Sequence, residues 1–517
     1  MGIIRSQSIK STIITYIGFS IGAINMMFVM PHFLSNVQIG LISVYIAFAT
    51  QMVAIGSLGI GVVINKFLPY YRAHLLPKKN DLISLALVVG TFGLLLTLAL
   101  SVMNKDLVIR KFSKNSPLFV EYLYLFPFFS FGYLYYSILD SFNNNYKFSV
   151  WSSFVRELFY KFFNLFLVIL FAIHCLSFKG VMNLYSVMYW IGALLLLLNL
   201  VKNKLFYIPL KLSSLTKKLK FNLLKYSLST WGISILGVTY QFVDVFAIAG
   251  LVGLGTAAIY NIPKFLITAI VIPGTSVINI SIPLISDAWR RKDLVKIEEI
   301  YKKSALVLVL LCGGTFFLIW SSIDDIFHLL PDKFFGSASA FTNAKYALLI
   351  LGFARMFDFA TSVNSYILQT SKKYYWTDLS CNIASVVLSI PLNYLLIKKY
   401  GMIGAATSYF VLAFMSNSFK AGYLYFKEKI HPFSNRWWRL AIICGLAILI
   451  GYFLNVLFDL SIFDNLNYTI ITRIIKIVLR NTILCGIFIP LVYWLNVSDD
   501  ISGMIKLMLD KLPMRKK

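Results

Sequence analysis

The sequence predicts an all-α polytopic membrane protein, and three observations predict it. Of 517 residues, 59% are apolar or aromatic and only 13% are charged, whereas a soluble domain is about one quarter charged. The apolar residues gather into runs of about 20, the length an α-helix needs to cross a hydrocarbon core. The net charge of +27 comes from 48 Lys and Arg against 21 Asp and Glu. It lies mostly in short segments between the apolar runs, where it orients a membrane protein rather than binding nucleic acid. This hydrophobicity excludes disorder. The five cysteines are far apart, inside apolar runs and without a CxxC, which excludes a disulfide scaffold.

Fourteen runs qualify as spans: 11–32, 39–64, 82–104, 118–139, 154–174, 181–201, 224–249, 254–283, 301–323, 345–369, 375–397, 403–425, 437–458 and 478–496. The first follows Arg5 and Lys10 with no small-residue cleavage site after it, so it reads as a retained helix and not a signal peptide. With both termini placed in the cytoplasm, segments on that side hold 32 basic residues and the opposite segments hold 12. That bias supports both termini in the cytoplasm. Segment 105–117, with Lys105, Arg110, Lys111 and Lys114, is the one local exception. The longest external loops, 324–344 and 459–477, have room for no soluble catalytic domain.

An internal repeat organises the spans. Residues 15–62 and 230–277 align without gaps at an offset of 215 and share nine identities, among them Gly22/Gly237, Gly40/Gly255, Tyr45/Tyr260 and Gly59/Gly274. Spans one to six therefore repeat as spans seven to twelve, in parallel, with two spans appended. Parallel repeats around a central cavity are a frame for alternating access. The expected domains are a six-helix lobe at 1–201, a basic cytoplasmic linker at 202–223, a second six-helix lobe at 224–426, the two extra helices at 427–496 and a basic tail at 497–517.

An ionised residue near the bilayer centre costs about 2.5–3.5 kcal/mol, so it stays only if it is paired, hydrated or used. Lys264 follows Pro263 in the eighth span, about 15 Å deep at the helical rise. Its position suits a cavity lining. Arg355 lies in the tenth span with Asp358 three residues on, on the same helix face; the pair either satisfies itself or serves a cavity. Arg156 and Lys161 lie in the fifth span with Glu157 between them, and Lys161 is the deeper. In the seventh span Thr230, Ser234, Gly237, Gln241 and Asp244 share one face. Asp244 with Gln241 is a candidate for ion coupling, or Asp244 pairs with Lys264. The coupling source stays open between Na+, H+ and the membrane potential. No P-loop, HExxH or GxSxG is present and the five His are scattered, so neither catalytic nor metal-ligating residues are assigned, no cofactor is expected, and the chain reads as a non-enzyme.

Four stretches carry a family resemblance: RSQSIKSTIITYIGFSIGAIN at the start, QIGLISVYIAF, LGTAAIYNIPKFL and, most specific, YGMIGAATSYFV at 400–411. They resemble the multidrug/oligosaccharidyl-lipid/polysaccharide exporter superfamily, and within it the polysaccharide and O-antigen flippases, related in layout to the lipid II flippases. The resemblance implies two lobes that rock between inward-open and outward-open states in the bacterial inner membrane. The implied cargo is an isoprenoid-pyrophosphate-linked oligosaccharide for a surface polysaccharide such as O-antigen or capsule, moved from the cytoplasmic to the periplasmic leaflet. Cavity cations, here Lys264, Arg355, Lys161 and Arg156, would hold the pyrophosphate, and the lipid tail would stay in a groove outside the cavity. Membrane lipids and glycan-assembly proteins are the implied partners. The first helix departs from the lipid II flippases, which carry arginines there; this one has no charge after Lys10. A cation exporter of the same superfamily is the main alternative. A polysaccharide polymerase or ligase is disfavoured because no large external loop exists.

The orientation has a direct test. A cysteine in the 324–344 loop should react with a membrane-impermeant maleimide outside intact cells, and Lys217→Cys should not. Labelling at 217 reverses the assignment.

Overall fold

The computed structural model describes residues 2–209, 211–460, 470–498 and 501–503. Most of the basic tail and part of the 459–477 loop lie outside them. The chain is all-helical, with no strand among the described residues, and it clusters into two compact units, residues 1–259 and 260–517.

The α-helices of seven or more residues in the first unit are α1 (Gly2–Ile24), α2 (Asn36–Gly56), α3 (Ile60–His74), α4 (Leu82–Met103), α5 (Lys105–Phe112), α6 (Phe126–Asn145), α7 (Tyr160–Ala172), α8 (Phe178–Lys202) and α9 (Ser214–Leu251). Next, α10 (Leu254–Arg291) begins in the first unit and continues into the second. The second unit adds α11 (Leu294–Ser321), α12 (Ala338–Thr361), α13 (Asn364–Thr370), α14 (Tyr375–Glu428), α15 (Trp437–Leu460) and α16 (Ile470–Trp494).

Eleven helices among the described residues are long and apolar enough to cross a membrane, or up to twelve if a bent pair is one span. The sequence predicts fourteen, and the two counts differ at three places. The expected span 345–369 is α12 and α13, bent by 47° at Ser362, whose φ of 50° lies outside the helical region. The expected spans 375–397 and 403–425 run together as the 54 residues of α14. A straight helix of that length would be about 81 Å long, far beyond the ~30 Å core. Gly401 interrupts it with φ 57° and ψ −133°. A Cβ on Gly404 would sit 2.1 Å from the Leu396 carbonyl oxygen, so the YGMIGAA segment is the one that permits this tight reversal. Third, the expected span 154–174 opens as a π-helix, Phe154–Phe159, before α7.

Small residues let the helices of the first unit approach closely, as lipid supplies no hydrophobic drive between apolar surfaces. A Cβ on Gly93 of α4 would lie 2.1 Å from the Gly56 carbonyl oxygen of α2, and one on Gly132 of α6 would lie 2.7 Å from Trp190 of α8. The repeat-matched Gly40 and Gly255 meet at a single crossing. A Cβ on Gly40 would be 1.9 Å from the Leu254 carbonyl oxygen, and one on Gly255 would be 3.3 Å from the Asn36 side chain. Between α2 and α3, Gly59 takes a left-handed φ of 75°, and Trp231 of α9 donates to the Ile55 carbonyl at 2.7 Å. Thus α9, which the repeat sets at the head of the second bundle, packs inside the first unit.

The basic exception at 105–117 has a local role. Asn115 donates to the carbonyls of Gly250 and Leu251 at 3.0 Å, and Ser116 donates to Ala249 at 2.7 Å. These bonds close the C-terminus of α9, and the Lys111 stem lies 3.7 Å from where a Gly250 Cβ would be. Cations are favoured at a helix C-terminus, where the macrodipole is negative.

The core of the second unit gathers Ile285, Ile297, Tyr301, Ile367, Tyr374 and Leu424. The α12–α13 bend is held by Ser304 and Ser362, whose hydroxyls lie 2.7 Å apart.

The crossing predicts a contrast between glycines. Gly40→Ala should lower stability by about 1–3 kcal/mol through overpacking. At Gly237 a Cβ would meet nothing within 4 Å, so Gly237→Ala should leave the melting temperature unchanged or raise it. Tryptophan-fluorescence melting in detergent checks both.

Candidate functional site

In the first unit the charged candidates converge on the π-helix. A π-turn inserts one extra residue into the backbone spiral and is frequent at functional sites. Arg156 Nη1 lies 3.4 Å from Asp140 Oδ2, and its Nε lies 3.3 Å from Glu157 Oε1. Lys161 Nζ donates to Glu157 Oε2 at 3.0 Å. The glycines of α1 make room for this cluster: a Cβ on Gly18 would lie 2.3 Å from the Glu157 carbonyl oxygen, and one on Gly22 would lie 3.2 Å from the Lys161 stem. The paired pattern Gly18/Gly22 in the first span is therefore a seat for ion pairs. Asp244 of α9 is buried and accepts from the Val245 backbone N–H at 2.8 Å, whereas Gln241 on the same helix is exposed.

In the second unit Lys264 is half-buried in α10, directly after the buried Pro263. Its carbonyl accepts from Thr268 Oγ1 at 3.2 Å. Arg355 Nη1 donates to Asp358 Oδ2 at 3.1 Å, and its guanidinium carbon stands 5.1 Å from the Tyr409 ring centroid. The i,i+3 pairing expected from the sequence is present.

That pair is one end of a longer polar chain. Asp358 Oδ1 accepts from Asn417 at 2.6 Å, and Asn417 Oδ1 accepts from Asn364 at 3.0 Å. Beside Asn364, Ser365 accepts from Lys420 Nζ at 2.9 Å. Lys420 pairs with Asp378 at 2.8 Å, the two side chains being 4% and 3% exposed. The far oxygen of Asp378 accepts from Gln369 and Asn382, both at 2.9 Å. Sequence reasoning missed Lys420 and Asp378, because both lie near the ends of spans, where a charge is ordinarily solvated. The signal was the spacing: Asn417 with Lys420, and Asp378 with Asn382, each put two polar residues on one face of an apolar helix.

Among the charged residues just described, the balance differs between the units. The first unit sets Arg156 and Lys161 against Asp140, Glu157 and Asp244, and the second sets Lys264, Arg355 and Lys420 against Asp358 and Asp378. No group of three or more His, Cys, Asp or Glu able to hold a metal lies among the described residues.

The second unit also contains an apolar cavity of about 840 Å³ between α10, α11, α15 and α16. Val277, Leu310, Phe317, Ile450 and Phe488 are among its walls. Lys296, Glu299 and Lys303 lie at its rim. Glu299 binds both lysines at 2.8 Å, which leaves the rim one positive charge in excess. The two appended helices supply one side of this cavity. Helix α16 is anchored by Arg480, which donates to the Ser321 carbonyl at 2.6 Å and pairs with Asp325 at 2.9 Å.

No family model and no curated protein matches the sequence. Solved structures do match. The chain is similar to the lipid II flippase MurJ in an inward closed conformation, with TM-score 0.68 and 15% identity over 93% of this chain and 98% of that one. It is similar to an inward-facing multidrug resistance MATE family transporter of the MOP superfamily, with TM-score 0.63 and 14% identity over 80% of this chain and 95% of that one. The Vibrio cholerae MATE transporter VcmN matches with TM-score 0.52 and 13% identity over 82% and 98%. These likenesses show that the chain shares the fold of these MurJ and MATE structures.

The buried pair generates a stability prediction. Lys420→Ala leaves a carboxylate buried without its countercharge and should cost about 3–5 kcal/mol. Lys420→Met combined with Asp378→Leu should recover most of that loss. Thermal melting of the purified single and double variants measures both.

Proposed function

We propose that this protein is a transporter that moves an isoprenoid-pyrophosphate-linked oligosaccharide between membrane leaflets by alternating access. The observation that carries the reading is the apolar cavity of about 840 Å³ whose wall is completed by α15 and α16 and whose rim is cationic. A long hydrocarbon chain needs a dry, continuous apolar wall, and a polyanionic headgroup needs cations close to its end.

Lys264 and Arg355 are the proposed headgroup ligands in the second unit, and Arg156 with Lys161 would supply the same chemistry in the first. A guanidinium presents donors in a planar fork suited to phosphate oxygens, and an ammonium acts as a compact point charge. In a low-dielectric cavity such contacts are worth far more than in water. The carboxylates that now hold Arg355, Arg156 and Lys161 keep these cations in place before cargo arrives. Desolvated phosphate then competes with a carboxylate for donors already positioned. Asp244, buried on α9, is the proposed participant in ion coupling.

A second reading, a cation exporter on the same fold, is favoured by one observation: among the candidate residues of the first unit, three acids, Asp140, Glu157 and Asp244, stand against two bases, Arg156 and Lys161.

Proteoliposomes separate the two. Purified protein should translocate a fluorescent polyprenyl-pyrophosphate oligosaccharide and should not accumulate ethidium. Lys264→Ala and Arg355→Ala should each slow translocation by about tenfold or more, the size of one charge-assisted contact. Lys264→Arg should keep part of the activity, and Lys264→Glu should be worse than Ala. Wild-type rates in Lys264→Glu overturn the headgroup assignment, and ethidium transport without glycolipid transport overturns the cargo.

A further inference from the structure

Two basic segments of the first unit, 66–81 and 202–225, are distant in sequence but joined in space. Lys66 Nζ stands 3.6 Å from the ring centroid of Tyr226, and Phe67 packs edge-on against the same ring. One turn further along α3, the Tyr71 hydroxyl lies 2.7 Å from Thr216 Oγ1. At the end of the zipper Asp81 accepts three bonds from the start of α9: Ser213 N and Ser213 Oγ at 2.8 Å and Thr216 Oγ1 at 2.9 Å. A buried carboxylate on a helix N-terminus is a strong cap, and it locks the linker end onto α3 and α4.

The charge that this clamp assembles is one-sided. The two segments hold eleven basic residues, and every one of them is exposed. Their single acid, Asp81, is 1% exposed and is used up in the clamp. Large apolar side chains stand among the lysines: Phe221 is 73% exposed, Leu76 69%, Leu224 57% and Leu212 53%. Orienting a membrane protein requires only that cations flank its spans. It does not require that two segments be fastened into one patch, or that aromatic and aliphatic side chains project beside the charges.

We propose that this α3–α9 face is a binding surface for the headgroups of anionic phospholipids, in the leaflet that the charge bias marks as cytoplasmic. Lysines contact the phosphates while Phe221, Leu224 and their apolar neighbours enter the acyl boundary, as in an amphipathic interfacial helix. The mixture of cations and exposed apolar groups favours a lipid surface over an acidic protein, which needs the charges and gains nothing from apolar side chains set between them. None of the lysines of this surface is among the residues assigned to the cargo, so the proposal can fail without affecting the transport reading.

The test uses the full-length protein in phosphatidylcholine bilayers with a trace of spin-labelled phosphatidylglycerol or spin-labelled phosphatidylcholine. The motionally restricted fraction of each label gives their relative affinity for the protein. Wild type should prefer the anionic label severalfold and lose that preference in high salt, because exposed charges are screened. The variant K217Q/K218Q/K220Q/K225Q should reduce the preference by about fivefold or more, whereas the matching four Lys→Arg changes should retain it. If the Gln variant fails to reconstitute, K78Q/K79Q probes the same face from the other segment and should also reduce the preference. Equal preference in wild type and the Gln variants, or no preference in wild type, as expected if an acidic protein is the partner, overturns the proposal.

Discussion

A charge that leaves water inside a chain this apolar must find its opposite within the protein. Moving a carboxylate or ammonium into a medium of low dielectric costs several kcal/mol, and mutual attraction offsets this only when geometry is good and the remaining donors and acceptors are also met. Both units obey that constraint in the same manner. Lys161, Glu157, Arg156 and Asp140 form one chain of alternating sign. Arg355, Asp358, Asn417 and Asn364 lead toward Lys420 and Asp378 through amides and a serine. Much of the local architecture serves these chains. Gly18 and Gly22 leave room for the first, the π-helix carries its central residues, and the long α14 supplies Asp378, Asn417 and Lys420 to the second.

On the proposed reading, a binding site built from such chains would be ready before its cargo arrives. Cations that are already oriented by carboxylates need little reorganisation when another anion comes, which is where preorganised electrostatics gain over flexible ones. The cavity in the second unit follows the opposite logic. Its lining is mostly apolar, with Lys296, Glu299, Lys303 and a few hydroxyls as the polar exceptions, and α16 is fixed against the α11 end by the buried Arg480. The two kinds of surface, one ionic and one dry, match the two ends of an amphipathic molecule.

The class of fold was legible because it depends on composition and period. Apolar runs of the right length placed the helices, and the repeat matched Gly40 to Gly255, which the structure brings to one crossing. Matched glycines did not promise matched roles: Gly22 seats Lys161 while Gly237 faces open space. The span count diverged where local backbone geometry took over, at Ser362, at Gly401 and at the π-helix, none of which changes the hydropathy of the sequence. Arg355 and Asp358 were legible as a pair because i,i+3 neighbours share a helix face. Lys420 with Asp378 was not, since two residues 42 positions apart meet only after α14 doubles back. The position of α9 was hidden for a similar reason, because its bonds to Ile55, Leu58 and Ala249's neighbours in the 105–117 segment are made by single polar atoms scattered along the chain.

The Asp81 clamp also bears on how much of the molecule depends on an unbroken backbone. Helix α9 is held to the first unit at its start by Asp81, along its length by Trp231 and Ser227, and at its end by Asn115 and Ser116. Among the described residues of 203–212, between the end of α8 and the clamp, none carries those bonds. A protease nick there would therefore separate the chain covalently and leave it together physically. The same reasoning makes that stretch the natural place to divide the gene, since two co-expressed fragments would meet through an interface that is already continuous from one side of the membrane to the other.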